Sequence, residues 1–208
     1  MLARVVEELE RHGLLLESDP TLPSVVTLVA GGPVKGSWWG HPKGHEIFRV
    51  SRQLAEHDDA LLCKLLSGKL TYVHRRLWPA LVTVGRARAP WQTEGLPRGA
   101  LRALDQVEKV GSLPADELRI PKDAYDRKKA VQALESRMLV YTRTVHTQSG
   151  AHARVLESWN ACAARLGINE LETSLEGSQR ELEAATHALN EAYRAKARLP
   201  WQGLSPGR

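Results

Sequence analysis

His41, His45 and Glu46 are the side chains in this chain whose types and spacing most invite acid–base chemistry. An imidazole exchanges its proton near neutral pH, and a neighbouring carboxylate can orient the ring or relay the proton. Two histidines four positions apart would share one face of a helix. Pro42 and Gly44 interrupt any helix between them, however, and Glu46 does not stand where a zinc-protease pattern needs its base. No metal site and no cofactor are therefore expected, and a hydrolytic role for the three residues is kept as an alternative.

The same stretch carries a second kind of chemistry. Lys35, Trp38, Trp39 and Lys43 surround the histidines, and a second block, Lys69, His74, Arg75, Arg76 and Trp78, follows about thirty residues later. Aromatic rings interleaved with cations suit stacking on unpaired bases together with neutralisation of phosphate. The charge is concentrated in the same place: residues 35 to 102 hold 12 basic and 5 acidic side chains, whereas 161 to 208 hold 6 of each. A basic block of this kind attracts polyanions, with nucleic acid the foremost class. The competing reading gives one tryptophan of the pair Trp38/Trp39 to the core, where large rings are usually spent.

What must position these groups follows from the whole chain. At 208 residues, 42% hydrophobic, it is long enough for a real core. No run of 18 apolar residues occurs, and Arg4, Glu7, Glu8, Glu10 and Arg11 break the amino-terminal stretch. The expectation is a cytoplasmic protein with no membrane partner. Cys63 and Cys162 lie in apolar contexts without paired spacing and are expected to be buried thiols.

Breaks at Pro20 to Pro23, Gly31 to Gly44, Ala89 to Pro97, Gly111 to Pro121 and from Pro200 divide the chain. Helical spacing predicts a first helix ending at Gly13, a second over Leu22 to Ala30, and a third from about Gly44 to Glu56. It also predicts a helix carrying Leu61, Leu62, Leu65 and Leu66, capped by Asp58 or Asp59. Leu70 to Val73 reads as a strand. Leu77 to Val84 is ambiguous, and Pro79 favours helix because proline suits a first helical turn.

From about Pro97 to Trp159 the elements come in the order of a winged helix-turn-helix. A helix over Leu101, Leu104, Val107 and Val110 ends at Gly111. A short helix is expected at Ser112 to Leu118, then a recognition helix from about Asp123 to Arg137, and finally a hairpin turning at Thr147 to Gly150. Arg127, Lys128 and Lys129 on that helix, and Arg143, His146, Gln148, His152 and Arg154 on the wing, are the candidate phosphate contacts. After Trp159 the spacing of Leu171, Leu175, Leu182, Ala185 and Leu189 reads as helix.

The expected architecture is thus mainly α with short β-hairpins: a helical region over 1 to 92, a winged helix-turn-helix over 93 to 160, and C-terminal helices and tail over 161 to 208. The strings Gly36-Ser-Trp-Trp-Gly-His-Pro42, Gly68-Lys-Leu-Thr-Tyr-Val-His-Arg-Arg-Leu-Trp-Pro79 and Leu139-Val-Tyr-Thr-Arg-Thr-Val-His-Thr-Gln-Ser-Gly-Ala-His152 resemble small bacterial proteins of the AlkZ-like DNA glycosylase family. That resemblance implies tandem winged helices embracing duplex DNA, and in the larger members removal of alkylated or crosslinked bases by water activated at a pair of closely spaced glutamines. Gln53, Gln92, Gln106, Gln132 and Gln148 are isolated here, with no Gln-x-Gln pair in the chain, so the family chemistry does not carry over. The expectation is a DNA-binding protein, DNA favoured over RNA, associated with DNA repair. A glycosylase-type or other hydrolytic enzyme and a protein-interaction scaffold are the alternatives.

Overall fold

The computed structural model describes residues 1–120, 127–146, 152–168 and 174–203. The chain is mainly helical, with two three-stranded antiparallel sheets among the described residues. Two compact units divide it, one of Met1–Trp78 with the segment that begins at Gln179, the other of Pro79–Ser178. A division expected after residue 92 therefore falls at residue 78, and the residues from 161 onward are shared between the units.

In the first unit, α1 (Leu2–His12) buries Val5 and Leu9 and ends where Gly13 turns left-handed at φ 77°, donating its N–H to Leu9 O at 2.7 Å. A Cβ at Gly13 would also lie 2.9 Å from the ends of the Arg76 and Leu77 side chains, which would have to shift, so the left-handed backbone is the main reason the position favours glycine. The next three residues form β1 (Leu14–Leu16), a strand buried on both faces. Ser24 and Thr27 make a reciprocal cap for α2 (Val25–Ala30), each side-chain oxygen accepting the other's backbone N–H at 3.1 Å. Ile47, Val50 and Leu54 are the inward stripe of α3 (Gly44–Ala55).

The expected helix over Leu61 to Leu66 is instead β2 (Ala60–Lys64), and Asp58 and Asp59 lie in the turn before it rather than capping a helix. It pairs along its length with β3 (Leu70–His74), from Ala60 opposite His74 to Lys64 opposite Leu70. A short apolar run fits either period, and pairing with a partner strand decides between them. In sheet order β1-β3-β2 the central strand buries Thr71, Tyr72 and Val73.

Helix α4 (Trp78–Arg86) begins at the boundary with Pro79 in its first turn, followed by the short α5 (Pro90–Thr93). Gln92 is fully buried: its Oε1 accepts Ala89 N–H at 2.9 Å, and its Nε2 donates to Val84 O at 3.2 Å and Met138 O at 3.3 Å. Helix α6 (Arg98–Val110) buries Ala100, Ala103, Leu104 and Val107 and stops at Gly111. The short helix expected at Ser112 to Leu118 is replaced at its start by β4 (Ser112–Pro114), paired with Glu157 to Val155. An edge strand tolerates Pro114, which has no N–H to leave unpaired.

Helix α7 (Arg127–Ser136) turns Ala130, Val131 and Leu134 inward. The expected start at Asp123 lies outside the described residues, as does the turn at 147 to 150. The hairpin strands are β5 (Tyr141–His146) and β6 (His152–Glu157), giving sheet order β4-β6-β5. Ser158 caps α8 (Trp159–Leu166). Both units thus repeat one topology: a helix, an edge strand, a helix preceding a hairpin, and the hairpin's second strand central in the sheet.

Helix α9 (Leu175–Tyr193) buries Leu182, Thr186 and Leu189. The expected stripe is kept in Leu182 and Leu189, Ala185 is half-buried, and Leu171 lies outside the described residues. Beyond it the chain returns along the first unit, where Ser67 N–H donates to Arg198 O at 2.7 Å and Trp201 Nε1 to Glu183 Oε1 at 2.6 Å. Cys162 is buried, its thiol pushed up to about 12 by desolvation, while Cys63 is half-buried rather than buried. Among the described residues no helix is long and apolar enough to cross a membrane.

Candidate nucleic-acid interface

The head of α3 is built by a tight turn. Trp38–Gly40 form one 3-10 turn, His41 N–H donates to Trp38 O at 3.0 Å, and Gly44 N–H to His41 O at 2.7 Å. A Cβ at Gly44 would lie 3.1 Å from Trp39 O and 3.2 Å from Trp38 O, so glycine lets the turn rest directly on the helix. Lys43 Nζ donates to Val29 O at 2.9 Å, tying the turn to the end of α2. That bond makes Lys43 a fastener.

This turn sets out an aromatic cluster. Trp38 and Trp39 stack with ring centroids 4.2 Å apart at 21°, and Phe48 approaches Trp39 at 5.6 Å. Neither tryptophan is buried, contrary to the expectation for one of them: Trp38 is half-buried against the core, and Trp39 is 66% exposed. His45, Phe48, Arg49 and Arg52 follow at spacings of three and four and are all exposed. Phe48 and Arg49 were not among the expected site residues, although the helical spacing from His45 carries that signal.

The three candidate catalytic residues do not form a relay. His41 Nδ1 accepts the N–H of Lys43 at 3.1 Å, His45 opens α3 on its exposed side, and Glu46 lies 4.0 Å from Arg49. Lys35 is exposed on the chain leading into the turn.

The block from Lys69 to Trp78 serves the fold more than a surface. Lys69 Nζ meets Asp19 Oδ2 at 2.6 Å. Arg75 pairs with Asp59 at 3.2 Å. Arg76 donates to Glu10 O, and to Arg11 O at 3.2 Å, neutralising the carbonyl end of α1. Trp78 is buried with its Nε1–H on Val73 O at 2.8 Å, so its ring is a core piece and not a stacking platform. Arg76→Ala is expected to lower stability by about 1 kcal/mol in a urea melt, since it uncaps α1. An unchanged midpoint would show that the cap is idle.

His74 Nδ1 accepts the N–H of Arg76 at 3.3 Å. Partial burial and then the Arg76 charge hold its pKa below the ordinary value, favouring the neutral ring. With the folded value depressed, the stabilisation is complete above the ordinary histidine value and drains away as pH falls through it towards the folded one. Thermal melts between pH 7 and pH 5 should therefore lose stability in the native chain, and lose less in His74→Asn, whose amide oxygen can keep the bond without titrating. Parallel pH profiles would remove His74 from that loss.

In the second unit Arg127, Lys128 and Lys129 are all exposed at the start of α7, with Gln132 and Ser136 exposed further along. The hairpin arginines lie near buried carboxylates. Arg154 pairs with the buried Glu135, and Arg143 lies 3.8 Å from the buried Glu157. Arg165 grips Glu157 through Nε at 3.0 Å and Nη2 at 2.7 Å. A buried carboxylate left without its cation is costly, so Arg154 is held by the fold rather than offered to phosphate, whereas Glu157 keeps Arg165 whether or not Arg143 stays beside it. His146 and His152 stand opposite each other as the last described rung of the hairpin. Their side chains and Gln148 lie outside what is described.

No protein-family model, curated protein or solved structure matches this chain.

Proposed function

We propose that the chain is a DNA-binding protein whose two units are winged helix-turn-helix modules, with α3 and α7 the helices offered to the duplex. The observation that carries this reading is that the helix preceding the hairpin, the one a helix-turn-helix module lays in the major groove, has an exposed cationic face in both copies of the repeated topology. In the first copy that face is Arg49 and Arg52, which also approach Glu46 at 4.0 Å and Glu56 at 3.4 Å on their own helix, with exposed His45 beside them; in the second it is Arg127, Lys128 and Lys129. Repeated topology also supports the tandem arrangement implied by the AlkZ-like resemblance, and with it a place in DNA repair.

Cations on flexible stems neutralise phosphates and position a duplex without reading its sequence. Binding should therefore tolerate sequence and fall steeply with salt. Fluorescence anisotropy on a labelled duplex of mixed sequence, between 50 and 300 mM salt, tests it: four or more phosphate contacts give a log–log slope of about −3.6 or steeper. Absence of binding at the lowest salt, or a flat dependence, would reject the reading.

A further inference from the structure

The aromatic cluster at the head of α3 has properties that phosphate binding does not need. Trp39 is braced by Trp38 on one side and approached by Phe48 on another, yet leaves about two-thirds of its surface to solvent. Phe48 is itself 39% exposed although its own helix has a well-filled inner stripe in Ile47, Val50 and Leu54. The turn is fixed from three directions: by Gly44 against the Trp38 and Trp39 carbonyls, by His41 on Lys43, and by Lys43 on α2. A rigid, open ring costs little further order when something stacks on it.

The surroundings decide what that something is. From Gly31 to Glu56 the chain carries Lys35, Lys43, Arg49 and Arg52 against the two carboxylates Glu46 and Glu56, which lie 4.0 Å from Arg49 and 3.4 Å from Arg52 and leave a net positive charge around the rings. An apolar ring in a cationic field suits a ligand that is both flat and attached to negative charge. We propose that Trp39, backed by Trp38 and Phe48, is a stacking platform for an unpaired nucleobase, with Arg49 positioned to receive its flanking phosphate. The preferred ligand is then duplex DNA interrupted by an unpaired nucleotide, not uniform duplex. This rests on the DNA-binding reading above and narrows its substrate.

Base-on-aromatic stacking worth about 1 to 3 kcal/mol corresponds to about five- to 150-fold in affinity. The test compares a fully paired 20-mer duplex with the same duplex carrying one bulged 2-aminopurine, for the native chain, Trp39→Ala and Trp39→Phe. Trp39 is exposed, so both variants should keep the native melting temperature. The native chain is expected to prefer the bulged duplex by about tenfold and to quench 2-aminopurine fluorescence. Trp39→Ala should erase preference and quenching while leaving affinity for paired duplex within about twofold, and Trp39→Phe should retain most of both.

Equal affinity of the native chain for the two duplexes would overturn the stacking platform and leave the DNA-binding reading standing. Equal loss on both duplexes in Trp39→Ala would likewise overturn it. A concentration-dependent dimer that disappears in Trp39→Ala would assign the rings to a second copy of the chain instead. No binding to either duplex overturns this proposal and the reading beneath it together.

Discussion

Gly85→Ala is expected to destabilise the second unit by about 3 kcal/mol or more. A Cβ at Gly85 would lie 2.3 Å from Cε2 and 2.4 Å from Cδ2 and Nε1 of the Trp159 indole, far inside contact distance. The ring has nowhere to retreat, because Trp159 is 3% exposed and its Nε1–H donates to Met138 O at 2.7 Å. Moving it would break that buried bond, leaving Met138 O only the longer one from Gln92 Nε2 at 3.3 Å, in addition to the steric cost. Removing the ring supplies the control. In a Trp159→Ala background, Gly85→Ala meets open space and should become stabilising by roughly 0.5 to 1 kcal/mol, since alanine is the better helix former. The sign of the effect reverses only if the clash is its cause. Equal destabilisation in both backgrounds, read from urea midpoints, would mean that the close approach of α4 to Trp159 is wrong.

Long elements with their own punctuation were readable in advance. Gly13 and Gly111 end α1 and α6 as expected, Pro79 opens α4, and the hairpin strands after Met138 are where alternation and Gly150 suggested. What escaped were three short strands, β1, β2 and β4, of three to five residues. Two of them pair with residues more than forty positions away, Leu14 with Val73 and Ser112 with Glu157. No local period records such a partner, and Ala60 to Lys64, with its leucines, imitates a helix stripe until β3 is beside it. The repeat was invisible for a related reason: the two units share an order of elements and not a string of residues.

The site was half legible by the same logic. Residue type drew attention to the Trp38 to Glu46 turn, where Trp39 and His45 are exposed and Trp38, His41 and Glu46 half-buried, and to the exposed cations of α7. Type could not tell an exposed indole from a buried one, so Trp78 was grouped with Trp39 although its N–H is spent on Val73 O five residues back. Nor could it foresee that Arg76, Arg143 and Arg154 would be drawn to carbonyls and buried carboxylates. Gln92 shows the converse. In the sequence it is one unpaired glutamine among several, and in the fold it joins α4, α5 and the entry to β5 through buried hydrogen bonds.

Replacing Arg127 and Lys129 together by alanine is expected to flatten the salt dependence of duplex binding by about 1.8 in log–log slope, because each phosphate contact contributes about 0.9. At 0.1 M salt each contact is worth about eightfold relative to 1 M, so the double variant should bind on the order of fiftyfold more weakly. The fold should survive it, since the inward residues Ala130, Val131 and Leu134 are untouched and both replacements favour helix. Arg49→Ala in the first unit should remove about 0.9 from the slope by the same reasoning. If both units grip one duplex, the triple variant loses about 2.7, the sum of the two effects; if only one unit binds, one set of substitutions leaves the slope unchanged. Arg154→Ala separates charge in general from charge at α7, for it takes away a cation already paired with Glu135 and should shift the melting temperature while sparing the slope. A slope indifferent to Arg127 and Lys129 but sensitive to Arg154 would move the DNA contact from the helix to the hairpin and leave α7 without a role in binding.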